Sequence, residues 1–134
     1  MSRKRTLMSL FNFFKRNRKN DQGQPIDRSL WTGKDFEFLI TGDIDLPADT
    51  YDSIMTPNSF QWTRVERDNW IYYQVGQDEF SYSWEMPGIQ MTFNDAIPFQ
   101  KAKEIAGEVI ENLKRTGRMV ELLILDKTKV YRFD

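Results

Sequence analysis

Apolar and polar positions alternate with two distinct periods along the chain, and the change of period divides it into elements. From position 94 to 116 the apolar residues Ala102, Ile105, Ala106, Val109, Ile110 and Leu113 recur every three or four residues, while Lys101, Glu104, Glu108, Glu111, Asn112 and Arg115 fill the other side. That spacing predicts an amphipathic helix over 95–116 with one buried face. Asn94 or Asp95 is the expected cap, and Gly117 the left-handed stop. The run Met119-Val120-Glu121-Leu122-Leu123-Ile124-Leu125 follows, too short and too apolar for a second surface helix, and reads as a central strand covered on both faces.

Between Phe60 and Phe93 the period is two. Phe80, Tyr82, Trp84 and Met86 alternate with Ser81, Ser83 and Glu85, and Ile89, Met91 and Phe93 with Gln90 and Thr92, with a turn at Pro87-Gly88 between them. With 60–66 and 70–75, these make a four-stranded meander over 60–93. Strands are also expected at 36–41, 119–125 and 129–133, the last an edge guarded by Lys129 and Arg132. Gly42 to Met55 reads as a turn and a short helix near 48–55. Strands come in a run rather than alternating with helices, so the expected class is α+β: a mostly antiparallel sheet with the long helix packed on one face.

The first twenty residues follow another rule. Leu7, Leu10, Phe11 and Phe14 share one helical face between two basic clusters, the pattern of a short helix that docks its Phe face on the body or ends the chain as a frayed solubilising segment, or of one that lies in a membrane interface. It is too short to span a bilayer. Residues 1–20 are thus an N-terminal basic segment, 21–34 a polar linker with Trp31 as its anchor, and 35–134 a single α+β domain.

Charge sharpens this division. Residues 1–20 hold seven bases and no acid, residues 21–134 hold 12 bases and 20 acids, and the resulting +7 and −8 give the net −1. The chain has no His and no Cys, which removes the commonest general base, thiolate nucleophiles and the usual zinc ligands. No Gly-rich loop feeds a helix, and a body of −8 repels phosphates, so nucleic acid is not an expected partner of the body. No cofactor is expected either. The acids concentrate at Asp43, Asp45, Asp49 and Asp52, a set that could serve a carboxylate-based hydrolase but equally suits a turn and a helix start. Trp70 and Tyr72 lie on a strand that is apolar on both faces, more than a sheet with one wet side requires.

The expectation is therefore a non-enzymatic protein-binding module that engages a basic partner through Asp43, Asp45, Asp49, Asp52, Trp70 and Tyr72. Inhibitors and immunity-type proteins share this composition, by analogy of make-up alone. One alternative is a membrane-peripheral accessory protein held to an anionic surface by residues 3–19, with Leu7, Leu10, Phe11, Phe14, Lys15 and Arg16 in contact. The other is the hydrolase. A cytoplasmic location, possible membrane association included, goes with these readings.

Overall fold

A computed structural model describes residues 27–126. The period-two stretches become strands: β1 (Phe36–Gly42), β2 (Thr63–Arg67), β3 (Trp70–Val75), β4 (Asp78–Glu85), β5 (Gly88–Phe93) and β6 (Val120–Asp126). They form one antiparallel sheet in the order β2-β3-β4-β5-β1-β6. The class is α+β, with a long helix α2 (Phe99–Arg115) and, after a 3-10 turn at Ala48–Thr50, a short helix α1 (Tyr51–Ile54). Two-residue turns keep β2 to β5 consecutive. The one between β2 and β3 has positive φ at both Asp68 and Asn69, the geometry that matches the twist of a hairpin.

Cross-strand pairing shows how the sheet divides. Phe38 faces Met91 and Ile124, and Ile40 faces Ile89 and Leu122, so Phe36, Phe38, Ile40, Met91, Phe93 and Phe80 all project to one side. There α2 lays down Ala102, Ile105, Ala106, Val109 and Leu113, each with no exposed surface. Burial of each large aliphatic side chain contributes ~1.5–3 kcal/mol, so this contact is the principal source of stability. Trp31 closes one end of the core, stacked on Phe36 and edge-on to Phe99. The end of the expected linker is therefore part of the fold.

Three local expectations are corrected. Helix α2 begins at Phe99, because the Phe99 amide donates to the Trp31 carbonyl and Pro98 pairs with Thr32 as a bridge. Asn94 caps nothing in the helix; its side chain accepts from the Glu79 amide and donates to Asp78, tying the β5 end to β4. The strand β2 starts at Thr63, since 60–62 belong to the loop that crosses from α1. Among the described residues, β6 ends the strand order. Strand 129–133 lies outside the described residues, as does the basic segment 1–20.

The helix ends as expected. Gly117 at φ +90° lets its amide reach the Lys114 carbonyl and the Arg118 amide the Leu113 carbonyl, a Schellman closure.

Candidate functional site

One helix of about 10 Å diameter cannot cover six strands spaced roughly 4.8 Å apart. The structure covers the remainder with the stretch from Asp43 to Gln61. Asn112 of α2, buried, donates to the carbonyls of Ile54 and Thr56 and bonds the Asn58 side chain. Glu108 accepts from the amides of Asn58 and Ser59 and from the Ser59 hydroxyl. Partial burial alone would raise the Glu108 carboxyl, but these bonds outweigh it and hold the carboxyl below its ordinary range. Glu108 is thus no idle outward residue of the helix, contrary to the periodicity.

The cover is incomplete. A corner beside β3 and β4 remains open as a cleft of about 520 Å3, lined by Leu46, Ala48, Tyr51, Tyr82, Trp84 and Ile71, with Trp70 and Asn69 at its mouth. Trp84 is 67% exposed, Trp70 45% and Ile71 37%. Isolated exposed apolar side chains are ordinary, but three converging on one concavity mark a contact surface.

The frame of the cleft is hydrogen-bonded. The Tyr73 hydroxyl donates to Asp52 at 2.6 Å, Arg64 meets the other oxygen of Asp52 at 3.0 Å, and the Tyr82 hydroxyl donates to the Met55 carbonyl at 2.8 Å. Burial is the main cause that pushes the Tyr51 phenol up to about 12 and raises Tyr73 and Tyr82 as well. All three phenols stay protonated near neutral pH, and those of Tyr73 and Tyr82 donate the two bonds just given. Arg64 pairs with Asp52 and also with Glu66, which sits directly across from Ile71. Asp49 follows Ala48 and Asp68 precedes Asn69, both exposed, and Arg67 pairs across the sheet with Trp70.

Of the residues expected from sequence, Asp52 and Trp70 line the cleft, and Asp49 stands at its rim. Asp52 is held by Tyr73 and Arg64, which makes it part of the frame. Asp43 and Asp45 are exposed in the segment leaving β1, where the Asp43 amide donates to the Met119 carbonyl and Arg118 donates to the Asp45 carbonyl. They lie beside the α2–β6 turn and do not line the cleft. Tyr72 projects from the other side of β3, under the Arg67 guanidinium at 4.0 Å. Among the described residues, no group of three or more carboxylates is placed to hold a metal ion, and no helix is long and apolar enough to cross a membrane. The membrane-contact set Leu7, Leu10, Phe11, Phe14, Lys15 and Arg16 lies outside the described residues.

Sequence reading missed Trp84, Ile71, Tyr51 and Leu46. The available signal was the mismatch of widths: a single long helix leaves part of a wide sheet bare, and Trp84 closes a strand that runs past the covered region.

No protein-family model matches the chain, and neither does any curated protein or solved structure.

Proposed function

We propose that this α+β domain is a non-enzymatic protein-binding module, and that the aromatic cleft seats an apolar side chain from a cationic segment of its partner. The observation that carries the reading is the cleft itself, with Trp84, Trp70 and Ile71 exposed around it and the carboxylates of Asp52 and Glu66 sharing Arg64 beside it. Aromatic residues in partly desolvated pockets dominate binding energy, while rim charges steer encounter. The Tyr73 and Tyr82 phenols are neutral donors and Asp52 is already bonded, which suits recognition rather than acid–base chemistry. Neutralising a basic protein, as an inhibitor or immunity-type protein does, is the role this chemistry fits.

The test is kinetic. Full-length protein captures its partner from the source cell, and the purified partner is then measured against two variants at two salt concentrations. Trp84→Ser with Ile71→Ser should speed dissociation and weaken binding about 30-fold or more, equivalent to ~2 kcal/mol. Asp49→Asn with Asp68→Asn, which leaves the Arg64 pairs with Asp52 and Glu66 intact, should slow association and flatten its salt dependence. Wild-type rates for both variants would remove the cleft from the interaction.

A further inference from the structure

Among the described residues, the sheet ends on one side at β2, and that edge is bare. The positive φ at Asp68 and Asn69 makes Arg67 and Trp70 a hydrogen-bonded pair, and bonded pairs alternate along an antiparallel ladder, so Val65 and Thr63 also bond inward to β3. The amides and carbonyls of Arg64 and Glu66 therefore point away from the sheet. No described turn, loop or side chain bonds them, and Thr63, Arg64, Glu66 and Arg67 are exposed. Sheets commonly blunt such an edge with a proline, a lysine or a bulge. Strand β2 has none of these: its register with β3 runs unbroken from Thr63 to Arg67, and Glu66 stands between its two arginines.

We infer that β2 pairs antiparallel with β2 of a second copy about a two-fold axis through Val65, continuing one sheet into the next. In that register Arg64 of each copy lies opposite Glu66 of the other, and these are the residues whose backbone groups face outward, so each such pair exchanges both ladder bonds. The side chains agree. Within one chain Arg64 already serves Asp52 and Glu66. Across the seam Glu66 gains a second arginine directly opposite, about 5 Å away at Cβ against roughly 6.6 Å between alternate residues of one strand, and the pairs of both copies join in one network. Sliding the copies by two residues sets Arg64 against Arg64 or Glu66 against Glu66, and sliding by one puts the bonding groups out of phase. Charge and hydrogen bonding thus select a single register, and that self-match is the argument for a second copy over an unrelated strand.

The ends of the seam fit as well. The same register brings the Asp68-Asn69 tip of one copy level with Gln61 and Trp62 of the other, which line a groove of about 460 Å3 with Ser53, Thr56, Asn58 and Thr63. Every side chain of that groove is uncharged, and its hydroxyls and amides suit the polar groups of a turn. The net charge of the full chain is only −1, so two copies meet without strong repulsion. A five-residue strand buries less than the roughly 800 Å2 per partner of a standard interface, so the pair is weak and forms as concentration rises. The two-fold axis stands normal to the sheet, and Glu66 lies across from Ile71, so both clefts open on one face of the joined sheet.

The chain has no Cys, so one introduced thiol reports the register on full-length protein. Val65→Cys sets two thiols at a pair whose Cα atoms stand about 4.5 Å apart, within the roughly 4.4–6.8 Å that a disulfide spans, whereas the two copies of position 63 lie about 13 Å apart. Val65→Cys should therefore give a disulfide-linked dimer under mild oxidation, and Thr63→Cys at the same concentration should not. Equal yields from the two, or no linkage of Val65→Cys, would overturn the register. Sedimentation equilibrium of the wild-type chain should show its mass rising with concentration from 16.0 kDa toward twice that value. Glu66→Arg sets two arginine pairs face to face and should weaken association about tenfold or more, with the near-ultraviolet dichroism of the core unchanged. A wild-type mass that stays at 16.0 kDa up to about millimolar concentration, or a Glu66→Arg variant that associates as the wild type does, would overturn the pairing.

Discussion

Replacing Glu108 separates what helical periodicity says from what the fold has made of that position. By spacing, Glu108 belongs to the outer side of α2, where truncation to Ala changes stability by no more than about 0.5 kcal/mol. In the structure its carboxylate accepts from two backbone amides and a hydroxyl at Asn58 and Ser59, and so anchors the loop that lies over Tyr73 and Tyr82. Bonds to a charged acceptor contribute ~1.5–3 kcal/mol each when buried, but these are solvent-accessible and water replaces part of what is lost. Glu108→Ala should therefore cost about 1–2 kcal/mol, and Glu111→Ala, at an exposed position of the same helix, about 0.5 kcal/mol or less. With a urea slope of ~1–3 kcal/mol/M, the first loss moves the midpoint by about 0.3–2 M and leaves the slope unchanged. The pH dependence has a definite sign. The folded carboxyl titrates below its ordinary value of 4.5, so its contribution is fully present above that value and is lost as pH falls through the lowered one. The gap between wild type and Glu108→Gln should shrink in that window. Matching midpoints for Glu108→Ala and Glu111→Ala, or a gap that widens on acidification, would refute the anchoring role.

Other substitutions probe the frame independently. Val109→Asp puts an unpaired charge at a position with no exposed surface and should abolish the cooperative urea transition and the near-ultraviolet dichroism of the core aromatics. Gly33→Ala would set a Cβ 1.7 Å from the Asn94 carbonyl oxygen and should lower stability by about 1–3 kcal/mol or more, whereas Gly107→Ala meets nothing within 4 Å and should raise it by ~0.5–1 kcal/mol. Thermal melts of the two variants should move in opposite directions. Tyr73→Phe removes the donor to Asp52 while Arg64 remains, so denaturation should register a loss of only ~1 kcal/mol.

The local periods carried the fold a long way, because burial is what they encode. Ile105, Val109 and Leu113 project to the core, and the alternations over β4 and β5 define the faces that the pairing shows. Where long-range geometry decides, local pattern misleads. Asn94 looked like a cap because Asn before a helix usually is one; instead the hairpin partner Glu79 holds its side chain. The acidic cluster of 43–52 split in the same way. Four carboxylates close in sequence were scattered by a chain that turns at Gly42, passes Arg118, and only then reaches Tyr73, so just Asp52 became part of the frame. The rim acids Glu66 and Asp68 come from a hairpin that the linear cluster gave no reason to include.

The cleft's open corner is held by an unusually complete frame, and that bears on what it can do. Its wall is tied through Asp52 to Tyr73 of β3 and Arg64 of β2, to β4 through Tyr82 and the Met55 carbonyl, to α2 through Asn112 and Glu108, and to the α2–β6 turn through Arg118 and the Asp45 carbonyl. Each tie joins the irregular stretch to the sheet, to α2 or to the turn after α2, so the wall cannot fold inward over Trp84 and Ile71 without giving up bonds. Exposed apolar surface that could close by a small loop movement would be expected to do so, since burial stabilises. Here the hydrogen bonds oppose that collapse and keep the concavity formed before any partner arrives. A preformed pocket avoids the ordering cost of building one on contact, and this is the condition under which a few aromatic side chains can dominate an affinity.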